Sequence, residues 1–281
     1  MRAFARSLGL LEREVLTPAI GAVIHGIDLA DARALAHHGD ELRRALLEHQ
    51  VIFFRDQHLD PAAQVRVAAI FGTVKDVASN FAAHPANPQV ELLESHGHGP
   101  GTDVWHADLT WQRTPPIGAA LYAVDVPAAG GDTMWASMTA AYDSLAPELQ
   151  TYLSGLTAVH NWEGPEITGF VLGGAGGEAR YRTLRETYPP LEVPVVTVHP
   201  ETHKRVIRVN ALYTTSICGV SREQSAALLA MLTGLARVPE WQIRFHWKPG
   251  SLAVWDNRAV QHYAVNDYHP SYRLMHRVTI G

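Results

Sequence analysis

From Val90 onward the chain is cut into short apolar runs closed by Gly, Pro or Asp, a punctuation that points to a sheet-rich core. Candidate strands are Val90–Leu93, Val104–Trp111, Ile117–Val124, Asp132–Ala136, Val195–His199, Val206–Val209, Ile243–His246, Leu252–Trp255 and Val278–Ile280. Upstream, the Ala/Leu-rich stretch from about Asp31 to Glu48 has helical spacing, and Val51 to Arg55 reads as a buried strand. Asp60-Pro61 opens a helix running to about Ile70, with Asp as cap and Pro in the first turn. Further helices fall near Met138–Leu145 and Ser221–Leu235. The fold expected is mainly β with covering helices, a sandwich or barrel formed by residues 1–281 as one domain.

Within that pattern, Trp105-His106-Ala107-Asp108 carries the clearest chemistry. A His and a carboxylate two apart on a strand point to the same face, so both can hold one metal ion. A distant imidazole, His262 in Trp255-Asp256-Asn257-Arg258-Ala259-Val260-Gln261-His262, would complete a 2-His-1-carboxylate triad that leaves coordination positions open on iron(II). Eleven residues later comes Arg273, then Arg277; a guanidinium grips a carboxylate in bidentate fashion, which suits a dicarboxylate bound at the metal. Residues four apart on a strand share a face, so both guanidiniums are expected in one pocket, with a second anion as the partner of Arg277. His96 and His98 also sit two apart, but their Gly-rich surroundings read as a loop. His199 and His203 flank Pro200-Glu201-Thr202, a turn between strands.

The bulk numbers exclude several classes. With 47% hydrophobic and 18% charged residues the chain is globular, and a net charge of −5 without Lys/Arg blocks argues against a nucleic-acid partner. No apolar run reaches the length of a membrane span, and the basic N-terminus meets Glu12 too early to supply a signal peptide. The single cysteine, Cys218, rules out an intrachain disulfide, and a reducing cytoplasm is the simplest setting. Gly164 to Pro190, containing Gly173-Gly174-Ala175-Gly176-Gly177 and then Arg180, Arg182 and Arg185, reads either as a surface loop or as a mobile lid.

These motifs together resemble the iron(II)- and 2-oxoglutarate-dependent dioxygenases of the taurine dioxygenase (TauD/TfdA-like) family over nearly the whole chain. The resemblance rests also on Gly26-Ile27-Asp28-Leu29, Val51-Ile52-Phe53-Phe54-Arg55-Asp56-Gln57, Phe71-Gly72, Gly130-Gly131-Asp132-Thr133 and Val209-Asn210. It implies a double-stranded β-helix (jelly-roll, cupin-like) core and a dimer or tetramer. It implies iron(II) on His106, Asp108 and His262, and 2-oxoglutarate held at its far carboxylate by Arg273 and Thr133. Arg277 matches the arginine that meets an anionic substrate group. With O2, the expected reaction gives succinate and CO2 and hydroxylates a substrate C–H bond; a carboxylate at Asp108 disfavours halogenation. The taurine pattern is broken at Thr73–Asn80, at Thr102 and at Leu109, so the substrate class stays broad: a small or medium anion such as a sulfonate, sulfate ester, carboxylate or amino-acid derivative. A zinc hydrolase and a non-catalytic binding protein on the same fold are the two alternatives.

Overall fold

The computed structural model describes residues 10–77, 82–96, 102–173 and 176–281. An eight-stranded major sheet faces a three-stranded minor sheet, giving the expected jelly-roll core. In the major sheet, Val51–Phe54 lies parallel to Ala22–His25 and antiparallel to Leu252–Asp256. Next come Gly118–Asp125, Tyr272–Ile280 and Asn87–His96. The minor sheet is Gln242–Phe245, Thr133–Ser137 and Val260–Ala264.

Side-chain alternation divides the core. Val51 and Phe53, Ala119, Leu121 and Ala123, Ala253 and Trp255, and Met275 point inward against Trp135 and Phe245 of the minor sheet. Ile52 and Phe54, Ala120 and Tyr122, Leu252 and Val254, and Val278 and Ile280 point outward under the first two helices. Both faces of the central strands are covered, which explains why Val51-Ile52-Phe53-Phe54 is apolar throughout. Gly118 has a steric reason to be glycine: a Cβ there would stand 2.5 Å from the carbonyl oxygen of Trp255.

The covering helices start where the sequence predicts. Asp31 accepts from the Arg33 amide at the head of Ala32–His49, which ends at Gln50 in the left-handed region (φ 65°). Asp60 caps Pro61–Ala69 through the Ala63 amide, and Ser221 with Gln224 forms a capping box on Arg222–Gly234. No helix among the described residues is long and apolar enough to cross a membrane.

Four expectations need correction. Val104–Trp111 is not a strand: only His106 makes a bridge, and the chain turns at Leu109 in the left-handed region (φ 51°). Val195–His199 is trimmed to Val196–Val198, paired with Arg205–Ile207, and a strand absent from the expected set, Leu191–Pro194, precedes it and pairs with Thr157–His160. The last strand is Tyr272–Ile280, six residues longer than its apolar end suggests. Gly164 to Pro190 is mostly helical, with Pro165–Gly173 packed on Gly177–Thr187 and the Arg180 guanidinium donating to the Val171 carbonyl at 2.8 Å; Gly174 and Ala175 lie outside the described residues.

Between the minor-sheet strands Thr133–Ser137 and Gln242–Phe245 the chain makes a long excursion with its own apolar core, including Met138, Tyr142, Leu153, Val206 and Leu232. At its centre His160 is fully buried, bonded at Nδ1 to Thr110 (2.9 Å) and at Nε2 to Thr214 (3.0 Å). Burial, and next the nearby Arg208 cation, push its pKa down to about 3. The unfolded chain therefore binds a proton below about pH 6.5 that the native state refuses until about pH 3. Stability must fall as pH drops through that window. A His160→Gln variant, whatever its absolute stability, is expected to lose about 1.4 kcal/mol per pH unit less than the parent between pH 6 and 4. Denaturant midpoints measured across that range check the slope, and parallel slopes would refute it.

Candidate active site

At the open edge of the minor sheet, Val260–Ala264 exchanges backbone hydrogen bonds with His106: His106 N–H donates to the His262 carbonyl (3.1 Å) and His262 N–H to the His106 carbonyl (2.7 Å). This bridge sets the two imidazoles side by side, ring centroids 4.2 Å apart. Asp108 keeps the i, i+2 relation to His106 although no strand continues, with its Oδ1 3.7 Å from His106 Nε2 and 3.8 Å from His262 Nε2. All three are buried, with ligand atoms within 4.8 Å of one another. Among the described residues this is the one group of His, Cys, Asp and Glu side chains close enough to share an ion. His96 is on the exposed rim beside Glu94, and His98 lies outside the described residues.

The donor set is prepared for a metal. His106 Nδ1–H donates to the Val104 carbonyl at 2.7 Å, which leaves the Nε2 lone pair directed at the site. Burial lowers the pKa of both imidazoles, His262 to about 3, so both are neutral ligands over the physiological range. For Asp108, burial opposes ionisation, but Arg277 and the two histidines hold the carboxyl below its usual range. Asn257 clamps the backbone on both sides of this carboxylate, accepting from the Asp108 amide (2.7 Å) and donating to its carbonyl (3.0 Å). Immediately afterwards Leu109 takes its left-handed conformation, a strain of about 1 kcal/mol or more that ends the segment as a turn.

The two arginines of Tyr272–Ile280 share the inner face with Met275, as their spacing requires, but their partners differ. Arg273 is a partly buried cation whose buried Nε has no hydrogen-bond partner among the described residues, and desolvation lowers its pKa. It lies beside Tyr268 and against Gly131, where a Cβ would come within 3.4 Å of its Nε. Gly130 and Gly131 both adopt positive φ (80° and 69°), and this turn delivers Thr133 to the neighbouring wall. Thr133 Oγ1 accepts from Trp247 Nε1 at 3.0 Å, which leaves its own O–H to donate to an anion.

Arg277 departs from the expectation of an unpaired guanidinium. Its Nη2 donates to Asp108 Oδ2 at 2.6 Å, so a protein carboxylate already supplies one partner. Nε still has none among the described residues. Opposite Arg277 across the strand pair sits Glu91, buried, whose pKa is raised by burial, partly offset by Arg277. The sequence reading missed Glu91: in Val90-Glu91-Leu92-Leu93 it looks like the solvent side of a strand, and only its register with Arg277 reveals it as site lining. It also missed Asn257 and the aromatic contacts of Trp111 with Tyr188 (4.8 Å) and Tyr213 (6.5 Å), which tie the helical excursion to the site. Of the Lys75–Asn80 segment, Lys75 and Val77 hydrogen-bond to Thr279 and Pro88, and 78–80 lie outside the described residues.

Residues 12–279 match the family described as taurine catabolism dioxygenase TauD, TfdA family. The chain is 36% identical to an alpha-ketoglutarate-dependent sulfate ester dioxygenase of Pseudomonas putida, over 93% of its length and 86% of that protein. It is 33% identical to an alkylsulfatase of Acinetobacter baylyi, over 96% and 85%. Among solved structures, a taurine dioxygenase from Burkholderia xenovorans superposes with a TM-score of 0.81 at 33% identity, covering 97% of this chain and 89% of that one. Neither a zinc hydrolase nor a binding protein on this fold accounts for that set. The chain belongs to the TauD, TfdA family and is a 2-oxoglutarate-dependent dioxygenase.

Proposed function

We propose that this enzyme hydroxylates a small or medium organic monoanion, a sulfate ester or sulfonate foremost, with iron(II) on His106, Asp108 and His262. The observation that carries the reading is one buried cluster holding two neutral imidazoles, one carboxylate and two guanidiniums. Three protein ligands leave coordination positions free, which suits iron(II) and a chelating co-substrate. Bound there with 2-oxoglutarate and O2, iron supplies the oxidant, while succinate and CO2 are released. Arg273 and the Thr133 hydroxyl hold the far carboxylate of 2-oxoglutarate, a charged group that would otherwise leave Arg273 unpaired in a buried site.

Charge balance supports an anionic substrate. Two arginines and a divalent metal exceed what Asp108 and a dicarboxylate neutralise, and burial favours the protonated form of Glu91. One more negative charge closes the balance, and the unpartnered Nε of Arg277 marks where it sits. The 36% relative named for sulfate esters points the same way. Hydroxylation at the carbon bearing a sulfate oxygen gives a product that collapses to a carbonyl compound and sulfate. The helix pair Pro165–Gly173 and Gly177–Thr187 is read as a lid, hinged near Trp162 and touching the site through Trp111 and Tyr188. A reducing cytoplasm suits ferrous iron and the unpaired Cys218, and a homo-oligomer completes the reading.

The test is succinate release with iron(II) and 2-oxoglutarate across alkyl sulfates, sulfonates, carboxylates and neutral analogues. An anion is expected to give the highest turnover; a neutral or cationic best substrate would refute the charge argument. Replacing His106, Asp108 or His262 by Ala is expected to abolish turnover and weaken iron binding measured anaerobically, and full activity in His262→Ala would sink the ligand set. Arg273→Ala is expected to weaken 2-oxoglutarate by about tenfold to a hundredfold, the worth of a charge-assisted hydrogen bond. Direct binding to the folded variant decides it. Arg277→Leu should impair the primary substrate far more than 2-oxoglutarate, and equal losses for both would reassign that arginine.

A further inference from the structure

Behind the metal-binding edge lies a second cavity, of about 320 Å³, between the jelly roll and the excursion that follows Ser137. Its floor includes Ala107 and Gln261, the residues that alternate with His106, Asp108 and His262. Neighbouring side chains on an extended chain point opposite ways, so this space is back-to-back with the active site. None of the three ligands, nor Arg273 or Arg277, lines it.

One wall is apolar, formed by Ile117, Met138 and Val206. The opposite feature is Arg208, on the residue following Arg205–Ile207. Its side chain has no hydrogen bond or ion pair among the described residues, and its Nε is buried without a partner. Burial lowers its pKa, with no carboxylate acting against that shift. The nearby Arg258 is engaged by Asp256 and Glu201, which leaves Arg208 as the uncompensated charge of this space. Gln261 adds a second orphan, an unpaired buried Oε1. A half-buried guanidinium without a counter-ion is costly, and a ligand anion removes that cost. The volume is at the lower end of ligand pockets and exceeds what a bare oxyanion fills, while the apolar wall asks for a hydrocarbon body.

We propose that this cavity is a second ligand site, separate from the active site, which takes a small organic anion with its charged head on Arg208 and its apolar body against Ile117, Met138 and Val206. Asn257 both lines the cavity and clamps Asp108, so an occupant sits one hydrogen-bonded residue from a metal ligand.

The probe is hexanoate, titrated calorimetrically into the iron-loaded enzyme saturated with 2-oxoglutarate under anaerobic conditions. Inorganic sulfate at equal ionic strength is the comparison. Wild-type enzyme is expected to show a hexanoate component that Arg208→Met weakens at least tenfold, Arg208→Lys weakens less, and Arg277→Leu leaves in place. Sulfate is expected to bind at least tenfold more weakly than hexanoate at this component. Val206→Phe, which fills the cavity but keeps the charge, is expected to weaken hexanoate as Arg208→Met does, and serves if the methionine variant fails to fold. Unchanged hexanoate binding in either folded variant overturns the site. So does a hexanoate component lost in Arg277→Leu alone, because that assigns it to the active site. Sulfate binding as tight as hexanoate overturns it too, because the apolar wall then has no role.

Discussion

The carboxylate of Asp108 is shared between a cation on one side and two imidazoles on the other, and the rest of the site is arranged around keeping that buried charge in place. Removing a carboxylate from water costs several kcal/mol unless it is paired and hydrogen-bonded. Here Arg277 supplies the charge from the major sheet, and Asn257 fixes the backbone on which the carboxylate rides. The minor-sheet edge supplies one imidazole and a backbone bridge to the other. Ligands on two distant segments are thus held by contacts among themselves before any ion arrives, the preorganisation that a metal centre needs.

The jelly roll gives that arrangement its rigidity. Inward-facing residues of the two sheets meet in a layer of large aromatics, Phe53 stacked on Phe245 and Trp135 edge-on to Phe53, with Trp255 beside His262. Small residues on the facing strand, Ala119 and Ala123, make room for them. On either side of Met275 the inner positions of the last strand change from apolar to charged, at Arg273 and at Arg277. The site is therefore a continuation of the core surface in which charge replaces hydrocarbon.

Much of this was legible in the sequence, for physical reasons. Alternation placed His106 with Asp108 and Arg273 with Arg277, because i, i+2 and i+4 relations need only locally extended backbone. Caps announced the helices at Asp31, Asp60 and Ser221. What escaped were features created by distant partners. Arg273, His276 and Arg277 hid six residues of strand, since the groups that accommodate them lie far away in the chain, Asp108 for Arg277 and Gln64 for His276. The glycines of 173–177 masked a helix pair joined by the contact of Arg180 with the Val171 carbonyl. Leu109 carries no hint of positive φ, a conformation that glycine or asparagine would have flagged. Val260–Ala264 reads as a polar segment until it is paired with Thr133–Ser137.

The two-bond bridge between His106 and His262 has a consequence for how the centre fails. Two of its three side chains are carried across one isolated backbone pairing rather than on a continuous ladder. Fraying of that pairing separates both imidazoles at once, so the ion's departure and the local opening of this edge are a single event. An ion bound there favours the closed form by mass action and therefore protects the amides of residues 106 and 262 from hydrogen exchange. Proton exchange at two peptide groups becomes a direct gauge of how full the centre is, independent of turnover.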